Sequence, residues 1–165
     1  NTYTYDAVGN RTAAKLNGIK TTYTSNNLNQ LNNSNNVTQN INFTYDNNGS
    51  LTYDGLFYKT YDAEKRLLKD SSSPSNVLTY QYDAFNRRVR KNMNGSILDY
   101  TYSGIKPIEE RDNATNTILN KTIFSNFLTP LVNEKNNTTF YYHQNELNSV
   151  EAITNQQGRL LEKYD

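Results

Sequence analysis

The chain has 165 residues, a formal net charge of +1 and no cysteine. It suits one domain or a slice of a larger one, offers no strong field to nucleic acid or an acidic membrane, and excludes disulfides and thiolate metal sites. Leu, Ile, Val and Phe make up roughly a fifth of it, close to the composition of disordered chains, but the small net charge and 14 tyrosines argue for folding around a thin core, nearer one curved layer than a thick globule.

"YTYDAVGNRT" (Tyr3 to Thr12) sets a pattern that "FTYDNNGSLT" and "YQYDAFNRRV" repeat. Tyr-x-Tyr reads as strand, with alternate residues on opposite faces. The following Asp reads as a turn anchor, because its carboxylate can accept backbone N–H groups two residues on. Three residues further comes a position that needs positive φ, suited to Gly and Asn. The anchors, with their preceding residue and left-handed partner, are Tyr5-Asp6 with Gly9, Tyr45-Asp46 with Gly49, Tyr61-Asp62 with Lys65, and Tyr82-Asp83 with Asn86. A degenerate copy places Asn26 and Asn29 in the same slots. Anchors recur about every twenty residues, the size of one hairpin with its turns. Lys65 departs from the rule and points to a different turn.

The opposite ends of the hairpins carry Asn17-Gly18, Asp54-Gly55 and Asn94-Gly95, which favour type I′ turns. An antiparallel meander follows. Residues 32–40 ("NNSNNVTQN") and 70–76 ("DSSSPSN") read as surface loops. The repeat hairpins occupy residues 1–102; degenerate repeats follow over 103–165 as part of one continuous sheet. There, "PIEER" and "TILNKTIF" read as strands around the polar turn "DNATN". Residues 128–144 read as strand, Asn-rich turn, strand. "SVEAIT" and "GRLLEKYD" close the chain as a pair around residues 155–158. No stretch holds a helical period, none approaches membrane-spanning length, and residue 1 opens no secretion signal, so any such signal is expected upstream.

Few residues invite chemistry. The anchor aspartates could serve acid–base catalysis only if two converged on a substrate, and the turn already uses their oxygens. Glu109 and Glu110 are strand neighbours and face opposite sides. His143 is the single histidine, too few for a zinc site without cysteine. The Asn- and Asp-rich turns leave calcium open, though no twelve-residue EF-hand loop appears. In "NRRVRKN" (Asn86 to Asn92), Arg88 and Arg90 share one face, Arg87 and Lys91 the other. It reads as a solvated or acid-paired stripe, the alternative being an anion-facing patch. Tyrosines two apart (Tyr3 and Tyr5, Tyr80 and Tyr82, Tyr100 and Tyr102) form cross-strand ladders or, alternatively, a carbohydrate platform. Neither cofactor nor metal is expected.

The repeated Tyr-x-Tyr-Asp-x-x-Gly phrase resembles the YD, or Rhs, repeat. The closing stretch from Phe140 to Asp165 resembles the Rhs-associated core segment: Tyr141, Tyr142, His143, Leu147 and Ser149 match it, while Asn145 and Asn148 stand where Asp and Gly are usual. The resemblance covers nearly the whole chain. It implies an all-β curved sheet, part of a hollow shell that encloses a C-terminal effector in bacterial polymorphic toxins. It also implies secretion or display at a bacterial surface. The family's self-cleavage residues would lie downstream of Asp165, so no catalytic residue is carried over. The expected partners are the rest of the shell, its effector and, through open sheet edges, other copies; nucleic acid is not among them. The alternative function is a cell-surface module whose tyrosine rows contact carbohydrate.

Overall fold

The structure, a computed structural model, describes residues 1–125 and 129–164. Leu128, where one expected strand opens, and Asp165, which ends the core-segment match, lie outside the described residues. The described residues are all-β, and every strand pairing is antiparallel. Two compact units divide at Val77 and Leu78.

The first unit contains β1 (Thr2–Tyr5), β2 (Arg11–Leu16), β3 (Ile19–Ser25), β4 (Leu31–Asn35), β5 (Asn40–Asn42), β6 (Thr44–Tyr45), β7 (Leu51–Tyr53), β8 (Tyr58–Tyr61) and β9 (Leu67–Ser73). Strands β1 to β5 pair in chain order, and so do β6 to β9. Phe43 separates β5 from β6, and its N–H donates to Asn32 O at 3.0 Å. Before it Asn42 pairs with Asn33; after it Thr44 pairs with Tyr53.

The second unit contains β10 (Asn76–Tyr82, on which the unit boundary falls), β11 (Arg88–Met93), β12 (Ser96–Ser103), β13 (Lys106–Asp112), β14 (Ile118–Phe124), β15 (Pro130–Lys135), β16 (Thr138–Gln144), β17 (Val150–Asn155) and β18 (Leu160–Lys163). They too pair in chain order. This is the expected meander.

A sheet without a covering layer buries little, and among the described residues Ala14, 3% exposed, is the one buried hydrophobic residue. Stability therefore rests on cross-strand pairs and edge-to-edge hydrogen bonds. Tyr53 and Tyr58 face each other across β7 and β8 with stacked rings, 4.4 Å between centroids. Arg90 and Asp99 face each other across β11 and β12 in a two-pronged pair at 2.6 and 2.9 Å.

Four expectations need correcting. Residues 32–35 and 70–73 are strand, so the loops shrink to 36–39 and to Pro74 and Ser75. Asn and Ser disfavour strands on their own, but a neighbouring strand supplies the ladder, and Asn33 Nδ2 adds side-chain bonds of 2.7 Å to both Asn40 and Asn42. Asn17-Gly18 and Asn94-Gly95 have both residues at positive φ, as a type I′ turn requires. At Asp54-Gly55 only the glycine does, and it is the first of the two loop residues, the type II′ arrangement. Lys65 makes no separate turn type: at φ 63 it occupies the same left-handed slot as Gly9 and Asn86.

Candidate functional site: the repeated aspartate turn

Asp46 shows the design. Its backbone closes a tight turn: Gly49 N–H donates to Asp46 O at 3.0 Å, and Asp46 N–H donates to Ser50 O at 3.0 Å. Its Oδ1 accepts Asn48 N–H at 2.9 Å and Ser50 N–H at 2.8 Å. With Gly49 at φ 82 and the register shifting beside Tyr45, this is a type I turn followed by a left-handed bulge. The same bonds recur at Asp6, Asn26, Asp62 and Asp83.

They also recur at Asn145 and Asn155, which the sequence reading did not identify as anchors. An asparagine Oδ1 accepts the same two N–H groups as a carboxylate oxygen. Hence Asn145, with Asn148 at φ 60, retains the turn despite lacking the usual Asp and Gly. Of the other core-segment matches, Leu147 donates its N–H to Asn145 Oδ1 and Ser149 closes the turn. Tyr141, Tyr142 and His143 lie on β16.

The second carboxylate oxygen has its own partner four residues on. Asp6 Oδ2 accepts from Asn10 Nδ2 at 3.0 Å, Asp62 from Arg66 Nε at 2.6 Å, and Asp83 from Arg87 Nε at 2.7 Å. The sequence carries that signal, Asp followed by Arg at the fourth place, and the pattern reading passed over it. These bonds keep the carboxylates ionised. The Asn10 amide holds Asp6 below the usual carboxylate range, and Ser50 N–H holds Asp46 there. At Asp62 and Asp83 burial pushes upward but is outweighed, by the backbone and guanidinium of Arg66 and by Arg87 respectively, so both lie low.

Turns are also tied to their neighbours. The hydroxyl of Tyr45 donates to Leu31 O (2.8 Å), that of Tyr61 to Leu51 O (2.9 Å) and that of Tyr102 to Arg88 O (2.9 Å). In each case a tyrosine beside one turn caps the carbonyl that follows the preceding turn. Gln144 takes the tyrosine's place against Pro130 O at 2.6 Å. Lys65 Nζ reaches Asn48 O at 2.9 Å, so the residue that breaks the Gly/Asn rule hooks one turn to the previous one.

Guanidinium groups cover ring faces in the tyrosine rows, although Tyr3 and Tyr5 remain 46% and 56% exposed. Arg11 lies over the rings of Tyr3 and Tyr23, at 5.2 and 5.9 Å from the centroids, and Arg88 over those of Tyr80 and Tyr100, at 5.6 and 5.1 Å. The basic stripe is engaged, but Arg88 and Arg90 do not share a face as expected: the register shift beside Tyr82 sets Arg88 opposite Tyr82 and Arg90 opposite Gln81, so Arg88 meets the rings of Tyr80 and Tyr100 while Arg90 pairs with Asp99 on the other side. Arg87 pairs with Asp83 and lies over the rings of Phe85 and Tyr102. Glu109 pairs with Arg111 at 3.0 Å, and Glu110 stands opposite Asn120. His143 Nε2 lies 2.8 Å from Thr154 Oγ1. Among the described residues no group of three metal-ligating side chains converges, and no helix is long and apolar enough to cross a membrane.

Antiparallel hairpins punctuated by one recurring turn define a β-hairpin repeat protein. No family model matches the chain. It is 34% identical over 98% of its length to the tRNA3(Ser)-specific nuclease WapA of Bacillus spizizenii, and 32% identical over 98% to the tRNA nuclease WapA of Bacillus subtilis. The chain spans 7% of the length of each of these relatives. Its fold matches part of the crystal structure of TcdB2-TccC3 at a TM-score of 0.67, with 11% identity over 94% of this chain and 11% of that one. It also matches TcdB2-TccC3-TEV at 0.58, with 12% identity over 93% and 11%. At such identities the likeness is one of fold.

Proposed function

We propose that the chain is a YD-repeat wall segment of an Rhs-type shell, whose work is to enclose and help deliver an effector carried elsewhere in the same protein. The observation that carries the reading is the repeated turn. Every anchor oxygen described above accepts protein N–H groups, which leaves it to fix strand register instead of meeting a substrate. The sequence kinship with proteins named as tRNA nucleases, over a small part of their length, supports reading the chain as a segment of a larger protein. We place it, on the same reading, outside the producing bacterial cell. The carbohydrate platform is disfavoured by the guanidinium groups over the Tyr3, Tyr23, Tyr80 and Tyr100 rings.

Among the described residues, strand β1 pairs with β2 alone, and β18 with β17 alone. Within a shell these edges take the neighbouring strands; in the isolated segment they take another copy. Limited proteolysis of the full-length protein tests enclosure. The effector should resist protease in the intact protein and become cleavable when Gly49→Val disrupts the wall. An effector cut equally fast in both would refute the proposal.

A further inference from the structure

The sequence contains three Asn-Gly pairs, Asn17-Gly18, Asn48-Gly49 and Asn94-Gly95. In each, the side-chain amide carbon is one residue from a backbone nitrogen whose own residue has no side chain to obstruct approach. The three nitrogens differ in what holds them.

We propose that Asn17 is the chain's preferred site of spontaneous deamidation, with Asn94 and Asn48 protected by hydrogen bonds at the attacking nitrogen. Asn17 and Asn94 form a matched pair. Both open two-residue turns with nearly equal backbone angles, φ 48 then 84 at the first and 53 then 95 at the second. The turns close on Leu16 with Ile19 and on Met93 with Ser96. At the second turn Gly95 N–H donates to Asn92 Oδ1 at 2.8 Å. The residue in the corresponding place before Asn17 is Lys15, which has no acceptor, and Gly18 N–H makes no hydrogen bond to the described residues. Asn48 is the most restrained: Gly49 N–H donates to Asp46 O at 3.0 Å, Asn48 N–H to Asp46 Oδ1 at 2.9 Å, and Asn48 O accepts from Lys65 Nζ at 2.9 Å.

The chemistry needs only water and hydroxide. Gly18 N gives its proton to solvent base and attacks Asn17 Cγ; the N–Cγ bond forms, the Cγ–Nδ2 bond breaks, and ammonia leaves with a proton returned from solvent. Water then opens the five-membered imide at one carbonyl or the other, giving aspartate or isoaspartate. The isoaspartyl product adds a carbon to the main chain of a two-residue turn. It therefore loosens the Leu16–Ile19 closure of β2 and β3.

The test is peptide mapping by mass spectrometry of the whole chain during incubation at mildly alkaline pH. Asn17 should convert several-fold faster than Asn94 and Asn48. Asn92→Ala should raise the Asn94 rate towards that of Asn17, while Asn92→Asp, which keeps the acceptor oxygen, should leave Asn94 slow. In strong denaturant the three rates should converge. Equal rates in the folded chain, an Asn94 rate unmoved by Asn92→Ala, or an order that persists in denaturant would each overturn the proposal.

Discussion

Replacing Gly55 by Ala probes the glycine that leaves least room for a side chain. Gly55 sits at φ 97, and a β-carbon built there falls inside the contact radius of Ile41 Cγ2, with Ile41 Cβ and Cγ1 at 3.4 Å. Gly18, at φ 84, has nothing within 4 Å of the same position. Both alanines incur the left-handed penalty, about 1–2 kcal/mol. Only Gly55→Ala adds overpacking, about 1–3 kcal/mol. The expected losses are about 1–2 kcal/mol for Gly18→Ala and about 2–5 kcal/mol for Gly55→Ala. Urea unfolding followed by tyrosine fluorescence measures both. Adding Ile41→Ala removes the offending methyl, so the double variant should recover the overpacking portion as a coupling energy of about 1–3 kcal/mol. Equal losses for the two alanines, or strict additivity with Ile41→Ala, would refute the reasoning.

Other expectations follow from the turns and pairs. Gly49→Val should lower the thermal midpoint more than Asp46→Asn, because a β-branched residue is prohibitive at φ 82 whereas Asn26 and Asn145 already anchor the same turn; equal shifts would count against the assignment. Tyr61→Phe removes one hydrogen bond, to Leu51 O, and should destabilise by about 1 kcal/mol in urea unfolding; a neutral result would mean the hydroxyl ties nothing. Asp54, which burial pushes up but Lys59 and the Phe57 and Leu56 N–H groups pull down, lies at about 2 instead of 3.8. Its folded value is the lower one, so its contribution is complete above about 3.8 and fades as pH falls towards 2. Asp54→Asn should flatten the acid limb of stability against pH in that window. Sedimentation of the isolated segment should show association at high concentration, and a clean monomer would contradict the open-edge argument.

The hairpin scheme was legible because positive φ restricts residue choice, so Gly9, Asn29, Gly49 and Asn86 advertise their turns. Lys65 hid its turn because the feature that accompanies it, a bond from Nζ to Asn48 O, depends on a neighbouring hairpin and not on local sequence. Asn145 and Asn155 carry no Tyr-Asp pair to advertise their turns, whereas the turn needs only an acceptor oxygen on a short side chain. The strands within residues 32–35 and 70–73 were invisible for a related reason. Their residues disfavour strand individually, and the ladder that stabilises them comes from partners elsewhere in the chain. The tyrosine hydroxyls that cap carbonyls of the preceding turn, and the guanidinium groups between rings, likewise join positions about fourteen or fewer residues apart that periodicity alone cannot pair.

Electron cryomicroscopy of the full-length protein bearing this segment tests the wall assignment most directly. The account predicts that residues 1–125 and 129–164 form part of a β-wall, with the anchor side chains closed on their own turns and effector density on the inner side. Anchor side chains gathered around a bound molecule, or an effector lying outside the sheet, would contradict it.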